Sequence, residues 1–275
     1  MDISVSKETE RLIPEVIAHQ GCTSRLALVV VSVLMGAINF GYNTSVLNTP
    51  EDVIRSNLED EYVDDFSWAI IVSIFCIGGL IGSSLAPPIL DTIGRKRFLA
   101  YNGIFLTAVL LFEASSVSVL MFVIARLGIG ISCGGTTVAV PLYLGEIAPV
   151  SLRGSLGTLN QFAMVVGILL AQVLGKPLGY DPWWSVLLGI GAIFSSLQVV
   201  LGLLLVESPR WLVMNGQPEK AEKILRMLRG SGEESEEYLS VELESMVALA
   251  EEERQEISVK SLVRNADLQF PFMVG

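Results

Sequence analysis

A single histidine, three cysteines and a charged fraction of only 17% set the first limits on this sequence of 275 residues. A soluble domain is usually about a quarter charged, so the shortage of ionic side chains points to lipid surroundings. Cys22, Cys76 and Cys133 stand far apart, with neither metal-ligand spacing nor the density of a disulfide framework, and read as packing residues. His19 lies in a polar N-terminal stretch and reads as exposed. GxSxG, GxxxxGKS/T and HExxH are all missing, which argues against an enzyme and against an ATP-driven pump; no cofactor or metal is expected. The alternating ten-residue segments of a membrane β-barrel are missing too. The net charge of −11 gathers in the stretch EDVIRSNLEDEYVDD and in the C-terminal region, which disfavours nucleic acid as a partner.

Long apolar runs, by contrast, are abundant, and the mean hydropathy is +0.58. Six stretches meet or approach the roughly 20 residues that a bilayer core requires: 26–48, 66–90, 98–116, 118–144, 156–176 and 184–206. The first follows about 25 polar residues and lacks a small-residue cleavage site, so it reads as a span and not as a signal peptide. With the N-terminus inside, fifteen of the 18 Lys and Arg residues fall on the cytoplasmic side and only Arg55, Arg126 and Lys176 on the other. The expected organisation is a cytoplasmic N-terminal segment (1–25), a six-helix transmembrane domain (26–206), a cytoplasmic helical domain (207–268) and the start of a seventh helix (269–275). Within the third part, Pro218 opens a helix that carries Ala221, Ile224, Leu225 and Leu228 on one face and ends at Gly230; a second helix is expected over 236–256 and a short piece at SVKSLVR.

Several polar groups sit inside these apolar runs, where lipid cannot satisfy them. GYNTSVLNTP, residues 41–50, closes the first span with Asn43, Thr44, Ser45, Asn48 and Thr49, and Pro50 is expected to end it. Gly78/Gly82 and Gly130/Gly134 have the spacing for close helix contact, and packing alone accounts for them. Gln161, Met164, Ile168 and Gln172 form one stripe on the fifth span. Such a stripe either ties helices together or lines a sugar-binding cavity, and the spacing does not choose between the two. Asp91, Arg95, Glu146, Arg153, Glu207 and Arg210 recur at the cytoplasmic ends, where opposite charges could form a breakable gate. Glu113 and Arg126, on neighbouring spans, could simply pair.

The ordered motifs FGYNTSVLNTP, GRKR, PLYLGEIAPVSLRGSLGTLNQ, VVGILLAQVLG and ESPRWLV resemble the sugar porter branch of the major facilitator superfamily, in particular its animal-type facilitative glucose transporters. The likeness runs from Ser24 to the end and covers the first half of such a protein. It implies an all-α fold, the six-helix half of a major facilitator with a cytoplasmic helical domain. By the same resemblance Gln161 hydrogen-bonds sugar hydroxyls, and Phe40, Thr44, Met164 and Ile168 line the cavity. Arg95, Glu146, Arg153, Glu207 and Arg210 match the inner charge network, Asp91 a carboxylate that docks on a helix end of the other half, and Arg126 an arginine of the fourth helix. Departures exist: Thr92 replaces a basic residue, Ser45 a glycine, and Pro87 and Pro88 are expected to bend or end the second span early.

Asn43 stands where proton-coupled relatives carry an aspartate, and an amide does not titrate in the physiological range. The expected function is therefore passive uniport of a hexose, most simply glucose, by alternating access in the plasma membrane, with both termini cytoplasmic. Proton symport through another carboxylate is an alternative; Glu113 is the remaining intramembrane carboxylate and reads as peripheral. A transport-inactive half that modulates a full-length relative is another alternative, and a sugar sensor a third. The expected partners are the hexose, the lipid bilayer and a complementary C-terminal half or full-length relative.

Overall fold

The computed structural model describes residues 23–58, 63–229 and 239–252, and these are helical apart from short turns. Six helices are long and apolar enough to cross a membrane: α1 (Ser24–Ser45), α3 (Asp65–Ile93), α4 (Arg95–Ala114), α5 (Val119–Ile147), α6 (Arg153–Leu178) and α7 (Trp184–Gly202). A short helix α2 (Glu51–Asn57) lies between the first two, and a 3-10 turn, Val150–Leu152, leads into α6. The starts follow ordinary capping. The side chains of Thr23, Asp64 and Ser118 accept hydrogen bonds from the amides of Leu26, Ser67 and Met121, satisfying donors the helix itself leaves free. Those bonds from Ser67 hold the Asp64 carboxyl below the usual carboxylate range. Arg55, almost fully buried, fastens α2 to the start of α3 by donating to the Val63 carbonyl at 2.9 Å and pairing with Glu51 and Asp65.

Helices α1 and α5 form the middle of the bundle and the other four spans its outside. About 61% of the apolar window of α1 is buried, against 22% for α3. Two pairs touch backbone to backbone. On α3 and α5, Gly78, Gly82, Gly130 and Gly134 interlock, so that a Cβ on Gly82 would overlap the Ile131 carbonyl and one on Gly134 the Gly79 carbonyl. On α1 and α6, Gly41 lies under the Met164 carbonyl and Gly167 under that of Ile38. In lipid, close approach of this kind replaces the hydrophobic effect as the source of helix association.

Polar side chains join the remaining helices. Asn39 and Tyr42 of α1 donate to the carbonyls of Gly191 (3.1 Å) and Leu187 (2.6 Å) on α7. Asn102 on α4 donates to Thr136 Oγ1 at 2.9 Å and accepts from Ser132 Oγ at 3.0 Å, both on α5. Thr107 donates to Ser195 Oγ at 2.8 Å and so joins α4 to α7.

Two expectations from the sequence are corrected here. Pro87 and Pro88 do not end the second span, because α3 continues to Ile93. Each proline removes a ladder donor, but unwinding in lipid would leave still more backbone groups unpaired, and the helix persists. Pro50 does not end the first span either: α1 stops at Ser45, and Pro50 is the N-cap of α2.

Contacts divide the chain into two compact units, Met1–Ser208 and Pro209–Gly275. The second contains α8 (Pro209–Met214), α9 (Pro218–Arg229) and a helix over 239–252, here α10. Gly216, with φ +72°, ends α8: its amide donates to Val213 and that of Gln217 to Leu212, the double closure for which a left-handed glycine is suited. Leu212, Val213, Ala221 and Ala250 form a small core, and Arg229 clamps α9 to α10 through two hydrogen bonds to the Glu242 carboxylate, 2.7 and 3.1 Å. The N-terminal segment up to residue 22, SVKSLVR and the seventh-helix start lie outside the described residues.

Candidate functional site

Three groups of residues carry chemistry in the first unit. The first lies where the α3–α4 corner, the end of α5 and the stretch after α7 meet. Arg95 is 4% exposed and sends Nε and Nη2 to the two oxygens of Glu146, each at 2.9 Å, a fork-to-fork pair that favours arginine over lysine. Its Nη1 donates to the Leu90 carbonyl at 3.2 Å and pairs with the exposed Asp91 at 3.3 Å. Glu207 does something else. Its Oε1 accepts from the backbone amides of Arg95 (2.8 Å), Lys96 (3.1 Å) and Ser208 (3.0 Å), capping the start of α4. The residue before that start is Gly94, with φ +90°, which has no side chain to cap with. A Cβ there would meet Glu207 Oε2 at 2.5 Å, so glycine serves both the turn and the carboxylate's approach.

Of the predicted inner network, then, Asp91, Arg95, Glu146 and Glu207 come together. Arg153 does not: it is exposed at the start of α6 and has no ion pair with a described residue. Arg210 belongs to the second unit.

Arg126 also stands apart from that network. It precedes Glu146 by some twenty residues on α5, about 30 Å along the helix. Its guanidinium pairs with Glu113 of α4, Nε to Oε1 2.6 Å, with side chains 2% and 0% exposed. Its Nη1 donates to the Asn43 carbonyl at 3.0 Å, and the Phe122 ring lies beneath it with its centroid 5.9 Å away. Glu113 is therefore central and not peripheral. The sequence marks it only as a carboxylate near a helix end, and burial at such a place depends on the next helix.

The third group lies along α1 and α6. The glycine contacts set the two side by side, and Ser45 Oγ donates to the Ile168 carbonyl at 3.2 Å. Gln161 is exposed, Met164 and Ile168 are half-buried, and Gln172 is exposed, so the stripe presents one continuous open face on α6. Beside it on α1 Thr44 is exposed, its hydroxyl donating to the Phe40 carbonyl, while Phe40 is half-buried against Phe75. Asn43 points the other way. It is 2% exposed, and its amide donates to Asn39 Oδ1 at 2.6 Å. A hollow of about 430 Å³ between the end of α1, α2 and α3 is lined by Asn48, Glu51, Trp68 and Ser73 among others, and includes none of the predicted site residues.

The buried Asn39 and Gln198 and the half-buried Asn102 were not among the predicted site residues. Ser132 and Thr136, four apart on α5, could have signalled a polar partner on the facing helix. Asn39 and Asn43 repeat that spacing. Among the described residues, no cluster of His, Cys, Asp or Glu could hold a metal.

Comparison with known proteins agrees with this architecture. A family model described as "Sugar (and other) transporter" matches residues 28–275. The chain is 34% identical over 270 residues to facilitated glucose transporter member 1 of Gallus gallus, covering 92% of this chain and 54% of that protein. It is 38% identical over 239 residues to member 4 of Bos taurus, covering 79% and 47%. Among solved structures it is similar to the major facilitator superfamily proton:xylose symporter XylE bound to 6-bromo-6-deoxy-D-glucose. There the TM-score is 0.76 at 24% identity, over 84% of this chain and 54% of that one. A partially occluded inward-open form of XylE from E. coli gives a TM-score of 0.71 at 25% identity, over 81% and 57%. The chain spans about half the length of the relatives it matches.

Proposed function

The chain belongs to the sugar transporter family, a family of membrane transporters and not of enzymes, and from that premise we propose that it forms one wall of a passive hexose carrier. The observation that carries this reading is the identity of 34 to 38% with facilitated glucose transporters. Glucose is accordingly the first substrate to try. The open face of α6 supports it: the Gln161 amide matches sugar hydroxyls, and Met164 and Ile168 match the C–H surface of the ring. Phe40 and Thr44 extend that face on α1.

In this reading the sugar binds near the bilayer midplane between two halves that rock about it. The Arg95–Glu146–Asp91 cluster, with the Glu207 cap, closes the cytoplasmic end in one state and opens in the other. Asp91, paired with Arg95 yet 65% exposed along its side chain, faces outward toward the complementary half. Arg153, exposed at the start of α6, joins only when that half is in place. The second unit is cytoplasmic, both termini are cytoplasmic, and the membrane is the plasma membrane. Coupling to protons is not required, because Asn43 offers no group that titrates.

Gln161→Leu tests the sugar site. It should abolish glucose uptake in proteoliposomes while membrane insertion is unchanged; uptake equal to wild type would remove Gln161 from the site. Counterflow of labelled glucose in liposomes holding only this chain separates transport from the second reading, a half that modulates a full-length relative. A proton gradient that drives accumulation would replace uniport by symport.

A further inference from the structure

The buried pair of Glu113 and Arg126 has no part in the sugar site described above. Both side chains are shut away from solvent inside a membrane bundle, where an ion pair is costly unless its geometry is fixed. One cation here touches three helices. α5 carries it, α4 supplies the carboxylate, and α1 supplies only the neutral carbonyl of Asn43. Tyr42 of α1 also faces the pair, but its hydroxyl is engaged with the Leu187 carbonyl. Cys133 of α5 is a further ionisable neighbour. α7, which packs on α4, has no ionisable side chain; on α3, Asp65 and Asp91 are paired with Arg55 and Arg95, and Cys76 is exposed. Among the described residues Glu113 is the one anion paired with Arg126.

We propose that Glu113 is the resident counter-ion of Arg126 and, through it, a positioning residue for α1. It balances the arginine from the α4–α5 side, so α1 meets that arginine through one neutral hydrogen bond and brings no charge of its own. The inference rests on the passive-transport reading and gives it an electrostatic basis. A carboxylate on α1 would share Arg126 with Glu113, and in a water-poor interior it could part from the arginine only after taking a proton. Positions 43 and 113 are then alternative seats for one carboxylate. The α1 seat adjoins the arginine through the Asn43 carbonyl, and Asn43 Oδ1, Arg126 Nε and Nη2 and both Glu113 oxygens are buried without a hydrogen-bond partner among the described residues.

The experiment compares wild type, Glu113→Gln, Asn43→Asp and the double variant, each as the whole chain purified in detergent. Glu113→Gln leaves a cation uncompensated, and Asn43→Asp crowds two carboxylates on one arginine, so each should lower the Tm. The double variant, with one carboxylate in the other seat, should regain most of the loss. If Glu113→Gln yields no folded protein, the double variant is instead judged on its monodisperse yield, as is Glu113→Gln combined with Arg126→Leu, which removes both charges. Failure of the double variant to recover, or a wild-type Tm for Glu113→Gln, overturns the assignment. In vesicles, uptake by wild type should ignore a pH step across the membrane, whereas uptake by the double variant should rise several-fold with external acid. A recovered double variant whose uptake ignores pH overturns the claim about α1. Proton-driven accumulation by wild type would sink the passive reading alone, since the melting comparison judges the counter-ion independently.

Discussion

Glu146 and Glu207 meet the same corner, yet one holds a guanidinium and the other a row of amides. Losing either charge should therefore cost different amounts. Glu146→Gln leaves Arg95 buried and without its fork partner, a loss of about 3–5 kcal/mol. Glu207→Gln keeps an oxygen that can accept from the amides and forfeits only the attraction between a carboxylate and a helix start, about 0.3–1 kcal/mol. Thermal unfolding of the purified chain would rank the two, and equal shifts would mean that Glu207 neutralises Arg95 after all. The residues of this corner were legible because acidic and basic side chains recur at ends of apolar runs. Their division of labour was not: it depends on the direction of the Arg95 and Lys96 amides, which the turn at Gly94 sets. Glu113 was misread for a similar reason, since what buries it is the packing of α5 and α7 against α4.

At the scale of elements, the six spans could be read almost directly, because hydropathy is a property of each segment alone. Helix ends were less legible. α7 stops at Gly202, short of the apolar run that continues to residue 206, because a series of tighter turns through Leu205 follows. The glycine pairs were readable as spacing, but only the structure shows which opposing atoms they admit. That supports a contrast. Gly82→Ala puts a methyl group against the Ile131 carbonyl, part of a rigid backbone, and should cost about 1–3 kcal/mol. Gly145→Ala, at a position with open space around it, should be neutral or stabilise by about 0.4–1 kcal/mol. Melting in the same detergent measures both; equal effects would show that α3 and α5 are less tightly joined than described.

For the whole molecule, the distribution of basic residues is the basis of the proposed orientation. Arg97 and Asn57 are both exposed and belong to opposite ends of the bundle in the proposed topology. In a background with Cys22, Cys76 and Cys133 replaced by serine, Asn57→Cys should react with an impermeant maleimide on intact cells. Arg97→Cys should react only after permeabilisation, and the reverse pattern would invert the topology. The α3–α5 contact has a mechanical consequence for any motion of such a bundle. Each glycine seat is filled by a carbonyl of the facing helix, so one rod cannot creep along the other by a small amount. A slip must advance by a whole seat, four residues or about 6 Å, with every seat emptied at once. The two rods therefore transmit force as a single beam, and the give in the machine has to be found in joints that are held by side chains.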